Sequence, residues 1–308
     1  MSPITVGLVG FGKIARDQHL PAIQATEGLE LAAIADPVAR PGTLPAYPDL
    51  AAMLAAHPEI GAISLCMPPC SRAAGAREAI AAGRHVLLEK PPCATLAEAE
   101  DLTHLAREAG VTLFTAWHSQ EAAGVARARA WLAETTVRSV KVSWKEDVRV
   151  WHPGQAWIWE QAGFGVFDPG INALSILTAI LPGDLCLVGA ELEVPVDCAT
   201  PIAARLTLEG SQGFEVEAEF DFRQTGPQSW DIDIATDRGP LRLSHGGNRL
   251  DVAGAAQDVG EEAEYRALYA RFAELIRMGE SAVDLAPLRL AEDALSRGRV
   301  VPVGAFGG

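Results

Sequence analysis

The feature that most restricts what this chain can become is its first fifteen residues. Ile4-Thr5-Val6-Gly7-Leu8-Val9 is a short apolar run with β-branched members, the pattern of a strand buried on both faces of a parallel sheet. It runs straight into Gly10-Phe11-Gly12-Lys13-Ile14-Ala15, a G-x-G-x-x-A turn that opens a helix. The small residues let the backbone turn tightly and approach a pyrophosphate, which then sits where the outward N–H groups of a helix start point. A second strand, Leu29 to Ala35, ends at Asp36, 26 residues after Gly10. That is the place for an acid that holds the adenosine ribose hydroxyls. Strand, glycine turn, helix, strand and acid together predict a dinucleotide site built from Gly10, Gly12, Lys13, Ile14 and Asp36, with Pro37 and Arg40 beside them.

Between Asp36 and the helix-like Pro48 to Leu54 lies a segment, Pro37 to Tyr47, with three prolines and a glycine. It is unfit for a full crossover helix, so the ribose pocket is expected to be open on this side. The Asp36 carboxylate disfavours a 2′-phosphate and favours NAD, while Arg40 and the open loop admit NADP; use of both cofactors is the expectation. The α/β alternation continues. Ala62 to Met67 reads as a strand, Arg72 to Ala82 as helix and His85 to Leu88 as a strand with Glu89-Lys90-Pro91-Pro92 at its end. Thr95 to Ala109 reads as a helix with a Thr95/Glu98 capping pair, and Val111 to Thr115 as a strand ending in Ala116-Trp117-His118-Ser119. Ligands of such sheets bind at the carboxyl ends of the strands, which adds Cys66, Pro68, Glu89, Lys90, Trp117 and His118 to the cofactor set.

Composition excludes several classes. The chain of 308 residues is long enough for two domains, and 49% hydrophobic with 21% charged residues is a globular balance. No apolar run spans a bilayer and no basic leader precedes the first strand, so a cytoplasmic protein without membrane attachment is expected. The five cysteines are scattered, with no Cys-x-x-Cys pair, which argues for reduced thiols and against a metal site. A formal charge of −15 repels nucleic acid.

After about Gln120 the texture changes. A helix, Ala122 to Glu134, precedes a strand from Val137 to Val150. Further strands are expected at Leu185–Val194, Ile202–Leu208, Phe214–Phe222, Trp230–Ala235 and Leu241–Ser244, with closing helices at Glu261–Met278 and Pro287–Arg297. Consecutive strands joined by short turns imply a large, mostly antiparallel sheet. The fold class is therefore α/β followed by α+β: a Rossmann doubly wound parallel sheet over 1–119, then a substrate-binding and oligomerisation domain over 120–308. One sheet face is expected to be left for a subunit partner, giving a homodimer or homotetramer. Within this half, Gly165-Val166-Phe167-Asp168-Pro169-Gly170-Ile171-Asn172 sets an acid and an amide four residues apart at a helix start. Pro169 suits the first helical position, and Asp168 and Asn172 share one face or, on the plainer reading, Asp168 only caps the helix.

With these motifs in place, the chain resembles the glucose–fructose oxidoreductase/inositol dehydrogenase (Gfo/Idh/MocA) family over essentially its whole length: G-x-G-x-x-A, then Glu89-Lys90-Pro91, then a glycine-containing loop into D-x-x-x-[H/N]. The resemblance implies that Lys90 and Asp168 sit around the carbon that exchanges a hydride with nicotinamide. Asn172 stands where many members have His, which leaves Asp168 as the base. Gly12 to Pro21, Trp144-Lys145-Glu146-Asp147-Val148-Arg149, Trp151 to Gln155 and Phe167 to Leu174 are similar to a branch of aldose 1-dehydrogenases acting on L-arabinose or D-galactose. By that resemblance the substrate is a small aldose, oxidised at C1 to the aldonolactone. Lys90, Asp168 and Asn172 are the catalytic set. Lys90, His118, Glu146, Trp151, His152, Asp168 and Asn172 form the sugar site, where the indole faces of a cluster that also includes Trp144, Trp157 and Trp159 suit a pyranose and Glu146 and His152 bond its hydroxyls. Core packing is the plainer role for each tryptophan. The rival readings are a sugar- or dinucleotide-sensing regulator on the same fold and a relative acting on inositol or a keto sugar.

Overall fold

The computed structural model describes residues 2–38 and 42–307. The chain forms two compact units: 1–118 with 265–285, and 119–264 with 286–308.

The first unit is built on six parallel strands: β1 (Ile4–Val9), β2 (Leu29–Ala35), β3 (Ala46–Tyr47), β4 (Ala62–Leu65), β5 (His85–Glu89) and β6 (Leu113–Ala116). Their order is β3-β2-β1-β4-β5-β6, so the winding reverses between β1 and β4. Every residue of β4 and β6 is buried, as a sheet covered on both faces requires. The helix after the glycine turn contains a π-helical turn, Ala15–His19, and continues as α1 (Leu20–Ala25). No helix joins β2 to β3 among the described residues; the chain instead adds β3 at the edge, with Tyr47 beside Ala35. Helix α2 (Leu50–Ala56) is capped by Asp49, whose Oδ1 accepts from the Ala52 N–H at 2.8 Å. Helix α3 (Pro69–Ala81) starts three residues before the expected Arg72, because proline in a first turn forfeits only an N–H with no helical partner. Helix α4 (Leu96–Ala109) carries the expected capping box: Thr95 Oγ1 accepts from Glu98 N and a Glu98 oxygen accepts from Thr95 N.

The second unit holds a nine-stranded sheet. Its strands are β7 (Val137–Lys145), β8 (Leu185–Pro195), β9 (Ala203–Gly210), β10 (Glu215–Asp221), β11 (Ser229–Thr236), β12 (Gly239–Ser244), β13 (Arg249–Val252), β14 (Ala255–Gln257) and β15 (Arg299–Val303), in the order β14-β13-β12-β11-β7-β10-β9-β8-β15. The pairs are antiparallel except β10 with β7 and β15 with β8. Strand β10 alternates strictly, with Val216, Ala218 and Phe220 buried and Glu215, Glu217 and Glu219 exposed. On the exposed face Lys141 meets Glu217 at 3.4 Å, and Arg205 lies within 3.3–3.6 Å of Glu191, Glu193 and Glu219. The helices of this unit are α5 (Val125–Leu132), the one-turn α6 (Val148–Trp151), α7 (Phe167–Ile180) and α9 (Ala286–Arg297). Helix α7 packs on the inner face of the sheet, with Phe167 edge-on to Phe220 at 5.6 Å between ring centroids.

Three expectations need correction. The strand from Val137 stops at Lys145, not Val150, because Asp147 accepts from the Arg149 N–H at 3.0 Å and starts α6. Asp168 does not cap α7: that place belongs to Val166, which offers no side-chain bond, and both Asp168 and Pro169 lie inside the first turn. The cut near residue 119 falls where the chain first leaves the first unit, but the stretch 120–308 is not one body. Helix α8 (Glu264–Met278) belongs with the first unit, where Tyr265, Leu268, Tyr269, Phe272 and Leu275 share a core with Val6, Leu8, Ile23 and Phe114. Local periodicity gives α8 an apolar stripe but not the surface that receives it. Among the described residues no helix is long and apolar enough to cross a membrane.

Candidate active site

The dinucleotide side lies in the first unit. Gly10 has φ +84°, and a Cβ there would stand 2.7 Å from the Met67 backbone nitrogen, so only glycine fits between β1 and the end of β4. A Cβ on Gly12 would meet nothing within 4 Å, which leaves the turn open on the side a pyrophosphate would use. Asp36 accepts from the Phe11 N–H at 2.7 Å through Oδ2 and from the Val38 N–H at 2.8 Å through Oδ1, which fixes its carboxylate beside the glycine turn. These residues fit a dinucleotide. Ile14 is 37% exposed, Lys13 pairs with Asp17, and Pro37 is exposed. Arg40 lies outside the described residues. Cys66 is buried and Pro68, the residue before α3, is half-buried. Trp117 is only 2% exposed, and its indole N–H donates to the Asp284 carbonyl at 2.9 Å, so its role is to anchor the strand end. His118 stacks on Tyr265 at 5.2 Å.

The Glu89-Lys90-Pro91 bend is held by groups that the sequence reading passed over. The buried Arg72 guanidinium donates to the carbonyls of Met67, Glu89 and Pro91, on both sides of Lys90. Glu89, 2% exposed, accepts from the Tyr265 hydroxyl at 2.5 Å, and His19 Nε2 lies 3.5 Å from the same oxygen. Burial alone would raise the Glu89 pKa, but the hydrogen bond and charge of His19, with Lys90 and His118, bring it down to about 2.

The residues Glu146, Trp151, His152, Asp168 and Asn172, expected at the sugar, lie in the second unit. Strand β7 ends at Lys145, and the Glu146 N–H donates to the Asp221 carbonyl at 2.9 Å, which turns the Glu146 side chain inward. Helix α6 folds the chain back so that His152 Nε2 lies 2.9 Å from Glu146 Oε1. The other Glu146 oxygen accepts from the Trp230 indole at 2.8 Å. His152 Nδ1 then faces Asp168 Oδ2 at 3.4 Å. Asp168 is 4% exposed in the first turn of α7, where a carboxylate is favoured by the helix dipole. Its approach is shaped by Gly165: φ is +52°, and a Cβ would lie 2.3 Å from the Pro201 carbonyl, which accepts from the Val166 N–H. The result is a hydrogen-bonded line Trp230–Glu146–His152, whose imidazole turns Nδ1 toward Asp168 at ion-pair distance without a hydrogen bond.

The profile of the Gfo/Idh/MocA oxidoreductase family, an NAD-binding Rossmann fold, matches residues 4–117. Galactose 1-dehydrogenase of Pseudomonas fluorescens is 46% identical over 306 residues, covering 99% of each chain. The chain belongs to the Gfo/Idh/MocA family. It is thus an oxidoreductase with an NAD-binding Rossmann unit. The crystal structure of a D-galactose-1-dehydrogenase protein from Rhizobium etli superimposes on this family member with a TM-score of 0.95 at 51% identity, over 99% of this chain and 98% of that one. A 3-ketoreductase from Actinomadura kijaniata, solved with NADP, matches with a TM-score of 0.85 at 22% identity, covering 98% and 100%, and shares the fold.

Within this family member the structure brings Glu146, His152 and Asp168 together, and Glu146 has both oxygens bonded to protein and little surface left for a sugar. Trp144 is a core residue, 3% exposed and stacked on Trp230. Trp151, 41% exposed, meets Trp230 edge-on at 4.7 Å, and is the more open of the expected indoles. Trp157 and Trp159 are half-buried, the latter against Phe222 and Phe306. Asn172 is half-buried one turn after Asp168. In the sequence Trp230 reads as a strand residue alone; its register opposite Trp144, one strand from Glu146, is visible only once the sheet is paired.

Proposed function

We propose that this protein oxidises an aldopyranose of the D-galactose or L-arabinose type at C1 to the aldonolactone, using NAD and also NADP. The observation that carries the reading is Asp168, a buried carboxylate at a helix start with an imidazole at 3.4 Å and a second buried carboxylate behind it. The full-length similarity to two proteins named galactose 1-dehydrogenase supports the substrate class.

When bound, the nicotinamide supplies the hydride acceptor. The chain itself binds, orients and moves a proton. Gly10, Gly12 and Asp36 hold the dinucleotide. Asp168 takes the proton of the anomeric hydroxyl, and His152, fixed by Glu146, keeps its carboxylate oriented. The family's D-x-x-x-H histidine is absent at Asn172, and His152 offers an imidazole to Asp168 from another part of the sequence. Asn172 holds the hydroxyl through its amide, and Lys90 is assigned the oxyanion. Trp151 and Trp230 present indole surface for the apolar face of the ring. His118 completes the set carried over from the resemblance. The enzyme is proposed to act as a homodimer or homotetramer in the cytoplasm, and sedimentation measures the first of these.

The test is reduced-nicotinamide absorbance with NAD or NADP against D-galactose, L-arabinose, D-glucose, D-xylose and myo-inositol. Fast reduction with the first two sugars and slow reduction with glucose is expected. Turnover with inositol alone would refute the sugar assignment. Tight dinucleotide binding without turnover would turn the reading to a sensor. Asp168→Asn should lower kcat by on the order of 10²–10⁴-fold; near-parental turnover would remove Asp168 from the base role.

A further inference from the structure

The first unit contains a buried polar cluster that the proposed chemistry does not use. His19 is fully buried, at the end of the π-helical turn that follows the glycine turn. Its Nδ1 lies 2.7 Å from the Tyr269 hydroxyl, which donates its own proton to Ser64 Oγ at 2.9 Å. Nδ1 is therefore the donor. Its Nε2 faces the Glu89 carboxylate at 3.5 Å, and the Tyr265 ring meets the imidazole edge-on at 4.9 Å. Glu89 in turn takes the Tyr265 hydroxyl. An imidazole with one N–H committed and the other nitrogen aimed at a carboxylate is favourable only with both nitrogens protonated.

The titration direction agrees. Burial pulls the His19 pKa down, but Cys66, Tyr269 and Glu89 push it up further, to well above the ordinary value. The groups facing the imidazole are Glu89 from β5, Tyr265 and Tyr269 from α8, and Ser64 and Cys66 from the end of β4. Lys90 and His118 act on Glu89.

We propose that His19 is a positioning residue for Lys90: by pinning the Glu89 side chain it fixes the next residue in the chain relative to the glycine turn and α8. Arg72 holds the same bend by its backbone carbonyls, so the bend is gripped through both main chain and side chain. The reason to grip it this firmly is that a displaced ammonium loses much of its effect on a developing charge. The role of Lys90 in catalysis rests on the dehydrogenase reading; its placement does not.

The test compares the parent with His19→Gln, Glu89→Gln and the double variant, by three readouts. The first is the rate at which acetic anhydride labels Lys90, read by mass spectrometry against Lys141 in the same molecule. The second is Tm, and the third is kcat with NAD and D-galactose. Each single variant leaves one buried charge without its partner and lowers Tm, and the double variant recovers much of that loss because both charges are gone. The Lys90 labelling rate is expected to change at least about threefold in all three variants, and kcat to fall on the order of 10-fold in all three. Recovery of Lys90 labelling and kcat together with Tm in the double variant would overturn the proposal and leave His19 a purely stabilising residue. Unchanged Lys90 labelling in the single variants would overturn it too. A parent that oxidises no sugar would refute the function reading, while the labelling rates would still decide the placement of Lys90.

Discussion

Gly170 lies on α7 two residues after Asp168, and its lack of a side chain is a packing requirement. A Cβ there would stand 2.6 Å from Phe220 Cδ2 and 2.9 Å from Cε2 and Cγ. Ordinary contact begins near 3.4 Å, so helix and ring must separate by close to 1 Å. The ring cannot swing aside: Phe220 is 1% exposed, sits edge-on to Phe167 and lies beside Trp144 across the β10–β7 register. Overpacking of this kind costs about 1–3 kcal/mol, and the higher helix propensity of alanine offsets up to about 1 kcal/mol. Gly170→Ala should therefore destabilise by about 1–2 kcal/mol, lowering the urea midpoint at constant m-value. A shift of this size in α7 also moves Asp168 against His152, and misplacement by 1 Å costs on the order of 10²-fold in turnover. Adding Phe220→Leu removes the clashing ring atoms, so the double variant should lose about 1 kcal/mol less than the sum of the singles. A Gly170→Ala protein as stable as the parent, or strictly additive losses in the double variant, would refute the reasoning.

Three further outcomes are expected. The Glu89 pKa is depressed from 4.5 to about 2, so its ionisation contributes roughly 3 kcal/mol above pH 4.5, lost as the pH falls toward 2. His19 is shifted upward from 6.5, so its contribution is complete below pH 6.5 and fades as the pH rises through its folded value; Glu89→Gln should flatten the acid limb of a stability–pH curve. Thr95→Ala removes the Oγ1 acceptor of the Glu98 N–H, one of the two bonds of the α4 capping box, and should cost about 1 kcal/mol by urea unfolding, against no change if the box is idle. Asp36→Ala should raise NADP affinity relative to NAD about tenfold, measured by nicotinamide fluorescence, and an unchanged ratio would remove Asp36 from cofactor choice.

The first unit was legible because its signals are local. Apolar runs such as Ala62 to Leu65 fix the parallel strands, glycines mark the turn, and Thr95 with Glu98 announces a helix start. In the second unit the long strands showed themselves by alternation, but β13, β14 and β15 are three to five residues long and too short for a period to register. The site was legible by residue type and not by arrangement. Glu146 and His152 were recognisable as polar residues among tryptophans, whereas the inward turn of Glu146 depends on its main-chain bond to Asp221, 75 positions on. His19 lies in the Gly12 to Pro21 stretch that carries the resemblance, but its buried role is not readable there, since its partner Tyr269 is 250 positions away.

The placement of α8 has a consequence for how the protein is made. A ribosome releases the six parallel strands early, but the aromatic side chains that close their core, Tyr265, Tyr269 and Phe272, follow only after nearly the whole second unit has been synthesised. At about 5–20 residues per second that is a delay of roughly ten to thirty seconds. Throughout it the nascent first unit carries a bare apolar face around Val6, Leu8 and Phe114, together with Glu89 lacking its tyrosine. The first unit therefore completes its core only after residues 265–285 have been made.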